Sequence, residues 1–487
     1  MPAPTLPFKP RHLVTLLACA LSPLAASAAT PFTGLSQAWT FSHTGGQFSE
    51  IASFDAQTNT LWVAGIVGVD VLNARTGSLI QHIDTTAWGS INSVAINNGI
   101  AAFAIESSVR TDPGVVKLFD TSTLALASGT NSFTVGALPD MLTFTPNGSK
   151  LLVANEASPT SYTGFDPAGS VSIIDMNSRT LVATAGFSGV PITGSVRTTP
   201  MDFEPEYIAV NATGTKAYVT LQEANAMGVL DLNSNTFTSV VGLGTKSFNT
   251  TANAIDTNDK KDVGSLKTVN VSGLYQPDSI AAYQANGQTY LVMANEGDTR
   301  EDDGDKARAS TLGATGDLAR LNISTTDSTA GNLVTFGGRS FSIRDAAGNI
   351  VFDSGNKLDA EAIARGIYDD GRSDDKGVEP EGVTLKVIDG RTYAFIGLER
   401  TTKGAVAVYD ITDPANSVFI DMIVTNGDVA PEGLTSFTMD GKHYLAIANE
   451  VSNTTTLYAL APVPEASSWM MLLGGLGLLG FMRRRAA

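Results

Sequence analysis

The chain has 487 residues, of which only 16% are charged, and 48 acidic against 31 basic side chains leave a net charge of −17. That length holds one large or two ordinary domains, and the low charge with 47 glycines excludes a chain built of long amphipathic helices. A surface this acidic repels nucleic acid and anionic membrane, and attracts metal cations or basic partners.

The first residues read as an export signal. Lys9, Arg11 and His12 form a basic start, residues 13–24 an apolar middle, and Ala26-Ser27-Ala28 a small-residue cleavage site. Residues 1–29 are therefore expected to be removed. The single cysteine, Cys19, lies inside this segment. Leu16-Leu17-Ala18-Cys19 resembles a lipoprotein box only weakly, because the apolar run before it is short, and cleavage near Ala28 or Ala29 is expected instead. The exported body, residues 30–461, then has no cysteine, which excludes disulfides and thiol chemistry.

The body repeats itself. Val378-Glu379-Pro380-Glu381-Gly382 leads to Ile396-Gly397-Leu398-Glu399, and Ala430-Pro431-Glu432-Gly433 leads to Ile447-Ala448-Asn449-Glu450. Pro277-Asp278 leads to Asn295-Glu296, Pro205-Glu206 to Gln222-Glu223, and Pro139-Asp140 to Asn155-Glu156. The unit at Glu381 parses as four strands, residues 381–389, 392–399, 405–411 and 417–425, with Asp389-Gly390 as a hairpin turn. Four antiparallel strands in roughly fifty residues make one propeller blade.

Taken in order, the pattern predicts an all-β, seven-bladed propeller. Its blades begin near Ser49, Ile91, Pro139, Pro205, Pro277, Pro380 and Pro431. The seventh stops after its third strand, residues 454–459, and Ala38-Trp39-Thr40-Phe41-Ser42 from the N-terminus is expected to supply its fourth. Such closure removes a free sheet edge. Asp120, Asp175, Asp231 and Asp410 close third strands before polar turns and are expected to cap them.

In a propeller the innermost strand starts on one face and the second strand returns to it. Asp140 with Glu156, Glu206 with Glu223, Asp278 with Glu296, Glu381 with Glu399, and Glu432 with Glu450 should therefore pair around the central channel, with Asn92 and Glu106 a weaker sixth pair. The register of the first blade is ambiguous. Residues 186–200, 242–275, 297–339 and 356–378 are long inserts expected on the same face, and residues 358–368 within the last read as a short helix. Long loops gathered on a rigid scaffold usually carry function.

The tail carries a second address. Val463-Pro464-Glu465 precedes an apolar run from Trp469 to Phe481 and then Arg483-Arg484-Arg485. The run is shorter than the ~20 residues of a full span, and the arginines would stay cytoplasmic. Residues 462–487 resemble the PEP-CTERM sorting signal of Gram-negative bacteria, although Ala466 stands where the pattern usually has proline. The resemblance implies an exosortase-type sorting enzyme as partner and a transient inner-membrane anchor, with membrane contact through this segment alone. The body resembles the choice-of-anchor I domain family. The likeness runs through Gly273-Leu274-Tyr275-Gln276-Pro277-Asp278, Ala294-Asn295-Glu296-Gly297-Asp298-Thr299-Arg300, Gly338-Arg339-Ser340-Phe341, Arg372-Ser373-Asp374-Asp375-Lys376-Gly377 and Tyr409-Asp410-Ile411-Thr412-Asp413-Pro414. It implies a surface-anchored propeller. Some relatives are labelled alkaline phosphatase or mesenchyme-specific cell-surface glycoprotein, and the family leaves the activity open.

Paired carboxylates are hard oxygen ligands suited to calcium or magnesium. Several of them facing one channel repel one another unless a cation sits among them or some are protonated. Asp278, Glu296, Glu381, Glu399 and Glu432, overlain by Asp298 and Asp374, are expected to surround a divalent cation, calcium before zinc because every donor is oxygen. The competing reading makes these acids strand-end caps or partners of Arg300, Arg372 and Arg400. The run from Asp298 to Asp305 lacks the spacing of an EF-hand loop, and His43, His82 and His443 lie far apart in sequence. Two function classes remain. One is an exported surface protein that binds or scaffolds, with extracellular polysaccharide or surface proteins as candidate partners. The alternative is a metal-dependent hydrolase of phosphate esters or lactones.

Overall fold

The computed structural model describes residues 34–461 except 163, 200–202, 261–262 and 301–303. The expected leader, the expected sorting segment, and Glu301, Asp302 and Asp303 of the acidic run lie outside the described residues. The described residues form one compact unit. Among the described residues no helix is long and apolar enough to cross a membrane.

Seven sheets hold a four-strand antiparallel path. Their innermost strands are Ala52–Asp55, Ile91–Asn97, Pro139–Phe144, Pro205–Val210, Ile280–Ala285, Pro380–Ile388 and Pro431–Met439. Each of these touches the innermost strand of the sheets before and after it, and the last touches the first. The sixth blade has strands Pro380–Ile388, Arg391–Leu398, Gly404–Asp410 and Val418–Thr425, within a residue or so of the boundaries read from alternation and turn chemistry. The second strands, such as Thr60–Gly65 and Arg391–Leu398, are buried almost throughout, because both of their faces pack against neighbouring blades. Outer strands such as Leu79–Asp84 are mostly exposed.

The third-strand aspartates cap as expected. Asp175 accepts from the amides of Asn177 and Ser178 at 3.0 and 2.8 Å, and Asp231 from those of Asn233 and Ser234 at 2.8 and 3.0 Å. Each thereby satisfies two turn N–H groups that would otherwise lack partners.

Closure runs through the N-terminal strand. Gly34–Ser42 pairs antiparallel with Thr454–Ala461, from Gly34 opposite Ala461 to Ser42 opposite Thr454. Trp39 donates its indole N–H to the Ala74 carbonyl at 3.0 Å, tying this strand to the first blade. Just beyond it, buried His43 contacts Asp70 through Nδ1 at 2.6 Å and Thr455 through Nε2 at 2.8 Å. The other oxygen of Asp70 meets His82 at 2.7 Å. Two histidines distant in sequence thus share one carboxylate at the seam.

The inserts differ from the loops expected of them. Thr245–Ser247 pairs with Val271–Leu274, which runs parallel to Leu333–Thr335, and Lys306–Arg308 pairs with Asn322–Ser324. Phe248, Ile255, Val271, Ala309, Leu321, Ile323 and Leu333 close a separate hydrophobic core there. These apolar residues stand singly among polar ones, so no periodicity announces them. The short helix is Lys357–Ala364. Buried Arg339 fastens the inserts together, donating to the carbonyls of Asp256, Ser373 and Asp375 at 2.8–2.9 Å.

Candidate functional site

A recurrent defect aims the acids of the innermost strands. Pairing of the innermost strand with its neighbour slips between Ile91 and Ser93, Pro139 and Met141, Pro205 and Ile208, Pro380 and Val383, and Pro431 and Leu434. Asn92, Asp140, Glu206, Glu381 and Glu432 fall within these slips. A bulge re-aims a side chain, and proline, having no N–H, is tolerated at a strand's first position. The residue before the proline is left-handed at Leu138, Gln276, Glu379 and Ala430, with φ of 43, 42, 49 and 59°. Three of their carbonyls accept the amide of the second acid, Glu156 at 2.9 Å, Glu399 at 3.0 Å and Glu450 at 2.8 Å, and the Gln276 carbonyl accepts that of Gly297 at 3.0 Å. The backbone so locks the two acids of a blade together.

The Pro-Glu-Gly glycines have a steric reason. A Cβ on Gly382 would collide with the Glu432 carbonyl oxygen, and one on Gly433 with that of Glu50. In the fifth blade Ser279 stands at this position, and its hydroxyl donates to the Glu381 carbonyl. Neighbouring blades therefore meet backbone to backbone at the acidic end.

The carboxylates converge. Burial pushes Asp278 well above the usual carboxylate range, and the charges of Glu296, Asp140, Glu399 and Asp298 push it further. Glu432 responds in the same way to burial and then to Glu50, Glu450, Glu399 and Asp278, and Glu381 to burial and then to Glu399, Glu432, Glu296 and Asp278. Burial and the charges of Glu450, Asp140 and Glu106 bring Glu50 up to about 8. Burial raises Asp140 to about 6, with Arg110 opposing. Tyr207 lies amid this ring. Burial, then Asp278, Asp140, Glu432 and Glu381, raise its phenol. A cavity of about 220 Å³ opens here, lined among others by Glu50, Glu106, Asp140, Tyr207, Asp278 and Glu432.

Part of the ring carries its own cation. The ammonium of Lys376 lies 2.8 Å from Glu296, 2.9 Å from Glu379 and 2.6 Å from the Gly297 carbonyl. Burial alone would lower it, but Glu296 and Glu379 outweigh burial and hold it well above its ordinary value. Arg372 adds a 2.6 Å contact to Glu379, and Arg400 one of 2.6 Å to Glu399. Burial and the Glu296 charge still bring Glu399 up to about 8, with Arg400 opposing.

Of the residues expected around one cation, Asp278, Glu296, Asp298, Glu381, Glu399 and Glu432 are mutually interacting charges on this face. Asp374 has its contacts among the inserts. Its carboxylate pairs with Arg308 and stands 3.8 Å from Arg320, and its carbonyl accepts from Asn322 at 2.8 Å. It joins one insert to another, because the fold brings it arginines from more than fifty residues away. Asp256 likewise caps its own loop, accepting from Asn258 and Ser265. Sequence reasoning passed over Glu50, Glu204, Glu379, Lys376 and Tyr207. Glu204 and Glu379 had a signal, since each precedes the proline of a Glu-Pro-Glu triplet.

Among the described residues, two groups of three carboxylates place one oxygen each within 4.8 Å of the others: Glu296, Glu379 and Glu399, and Glu156, Glu206 and Glu223. The fold and this site define an acid-lined β-propeller. Residues 50–414 match the choice-of-anchor I domain, and the chain belongs to that family. Residues 462–486 match the PEP-CTERM protein-sorting motif, the signal of exosortase-type sorting enzymes, which marks an exported, surface-anchored protein. No curated protein matches the chain. Among solved structures it is similar to Kuenenia stuttgartiensis hydrazine synthase, at 13% identity over 86% of this chain and 97% of that one, with a TM-score of 0.48. It is also similar to the Myceliophteria thermophila Cps50 (Swd1) beta-propeller domain, at 8% identity over 88% of this chain and 100% of that one, with a TM-score of 0.48.

Proposed function

We propose that the protein is a surface binding or scaffold propeller whose acidic face takes up a divalent cation, calcium in the first instance. The observation that carries this reading is the number of confined carboxylates, far more than Lys376, Arg372, Arg400 and Arg110 can neutralise. Asp278, Glu296, Asp298, Glu381, Glu399 and Glu432 belong to that face, and oxygen-only donors favour calcium. The ligand is an extracellular polysaccharide or a surface protein. The host is a Gram-negative bacterium, with the C-terminal segment as a passing inner-membrane anchor.

The hydrolytic alternative, cleavage of phosphate esters or lactones, would use the same cation. Its most obvious bases are otherwise engaged, because His43 and His82 are held by Asp70 and His443 contacts Thr438 at 3.0 Å. The test is metal analysis of protein purified without chelator, followed by panels of phosphomonoesters and lactones with and without chelator. Bound calcium and no turnover are expected. Turnover abolished by chelation would move the protein to the hydrolases, and absence of any divalent ion would remove the cation from both readings.

A further inference from the structure

The ring contains an internal comparison. Its two carboxylate triads have the same composition, each with one oxygen per residue within 4.8 Å of the others, yet among the described residues only one holds a lysine ammonium. Lys376 sits between Glu296 and Glu379, with Arg372 and Arg400 beside it. The other triad joins Glu156, at the end of the third blade's second strand, to Glu206 and Glu223 of the fourth blade. Among the described residues, Arg300 lies over the ring of Tyr162 and offsets the Glu204 charge, and the guanidinium beside Glu156 is that of Arg110. It stands 3.7 Å from Glu156 and spends its Nε–H on the Ser158 carbonyl at 3.0 Å.

A second observation at the same place points to a missing partner. Glu204, only 3% exposed, takes the Tyr162 hydroxyl on one oxygen at 3.0 Å, and its Oε2 has no hydrogen-bond partner. Its carboxyl lies within hydrogen-bonding reach of that of Glu223, which is 4% exposed and whose own Oε2 likewise meets no donor, so this pair is satisfied either by one shared proton or by one shared cation. Buried carboxylate oxygens without partners cost several kcal/mol each, and native folds rarely leave them so. The backbone around them is fixed: the Glu156 amide is held by the Leu138 carbonyl at 2.9 Å, and the Glu223 carbonyl accepts from Arg197 at 3.0 Å. Arg197 is itself gripped by Asp305 and by Asp327 at 2.8 Å.

We propose that Glu156, Glu206 and Glu223, with Glu204 behind them, form the seat of one calcium-like divalent cation between the third and fourth blades, doing there what Lys376 does in the other triad. This rests on the reading that the acidic face binds a cation, and it moves the seat away from Glu381 and Glu432. The three carboxylates can offer one oxygen each within 4.8 Å of one another, close enough to share one ion at calcium's bond lengths of about 2.4 Å and equally at magnesium's of about 2.1 Å. The donors are carboxylate oxygens without imidazole or thiolate, which disfavours zinc and copper.

The test uses the full exported protein, with terbium as a luminescent calcium substitute excited through nearby tyrosine, and equilibrium dialysis with calcium to count ions. One displaceable ion per chain is expected at this seat. Glu206→Gln and Glu223→Gln should each weaken it about tenfold or more, while Asp413→Asn, at a remote turn where Asp413 accepts from the Ala415 amide, stays within about threefold of the native affinity. Each seat substitution removes a charge from an overcharged cluster at constant shape, so the metal-free seat variants should melt no lower than the native protein. Glu156→Gln replaces either seat variant that fails to fold. Loss of binding in Glu381→Gln and Glu432→Gln, with Glu206→Gln and Glu223→Gln unaffected, would overturn the seat and leave the cation reading standing. A native protein that binds neither calcium nor terbium would overturn both.

Discussion

His43→Ala should unlock the ring at its seam. His43 is buried and spends both ring nitrogens, on Asp70 at 2.6 Å and Thr455 at 2.8 Å. Burial works against the Asp70 carboxylate, but hydrogen bonds from His43 and His82 still hold it below the usual range. Deleting the imidazole strands one oxygen of a carboxylate that is only 4% exposed. Hydrogen bonds to a charged group contribute about 1.5–3 kcal/mol, and breaking a buried pair by removing one partner costs about 3–5 kcal/mol. Thr455 keeps its contact to Ser49 at 2.8 Å, and so adds little. A loss of about 3–4 kcal/mol follows, about 5 °C in Tm for a ring of this size. Differential scanning calorimetry measures it, with two controls. His443→Ala removes only the contact to Thr438 and should cost under about 0.5 kcal/mol. His82→Ala should fall between, because its side chain is 36% exposed and water can replace it. A His43→Ala protein that melts like His443→Ala, or a larger loss for His82→Ala than for His43→Ala, would refute the argument.

Gly382→Ala should cost about 3 kcal/mol or more, because its methyl would drive the sixth and seventh blades apart at the Glu432 carbonyl; urea unfolding shows it as a lower midpoint at unchanged slope. Lys376→Met should destabilise by about 3 kcal/mol, since Glu296 and Glu379 lose their shared ammonium, and melting curves at pH 5 and pH 8 should show the greater loss at pH 8. The chelated native protein should itself lose stability as pH rises. Glu50 goes from 4.5 unfolded to about 8 folded and Asp140 from 3.8 to about 6, so the folded state binds the extra protons. Their penalty is absent below about pH 4, grows between about pH 4 and 8 and is complete above. A Tm that stays level or climbs from pH 5 to pH 8 would show that these acids are not confined together.

Much of the ring was legible because blades announce themselves by alternation, turn residues and repetition. The sixth blade could be parsed nearly to the residue, and the closing strand followed from a seventh blade one strand short. The acidic pairs were legible for the same reason, since topology alone returns two strand ends to one face. What failed was pairing between segments with no shared period. Nothing in the acidic run around Asp374 marks it for Arg308, 66 positions away. Lys376 reads as one more surface lysine until the fold encloses it. Glu50 escaped because the first blade's innermost strand, Ala52–Asp55, is short and lacks the proline-acid opening. His43 and His82 looked unrelated because only ring closure makes them neighbours. The packed inserts were opaque because their core residues come singly from separate loops.

The strand Gly34–Ser42 also sets a timetable. It is the first strand of the body to be made, and its partner, Thr454–Ala461, is the last. A chain delivered outward from its N-terminus cannot finish this fold while any of it remains on the near side. Six blades can assemble during passage, but the seam with His43, Asp70 and Thr455 has to wait for the final strand. Ring completion therefore waits for residues 454–461, and a chain stalled short of residue 454 would leave the edges of Gly34–Ser42 and Lys442–Asn449 unpaired.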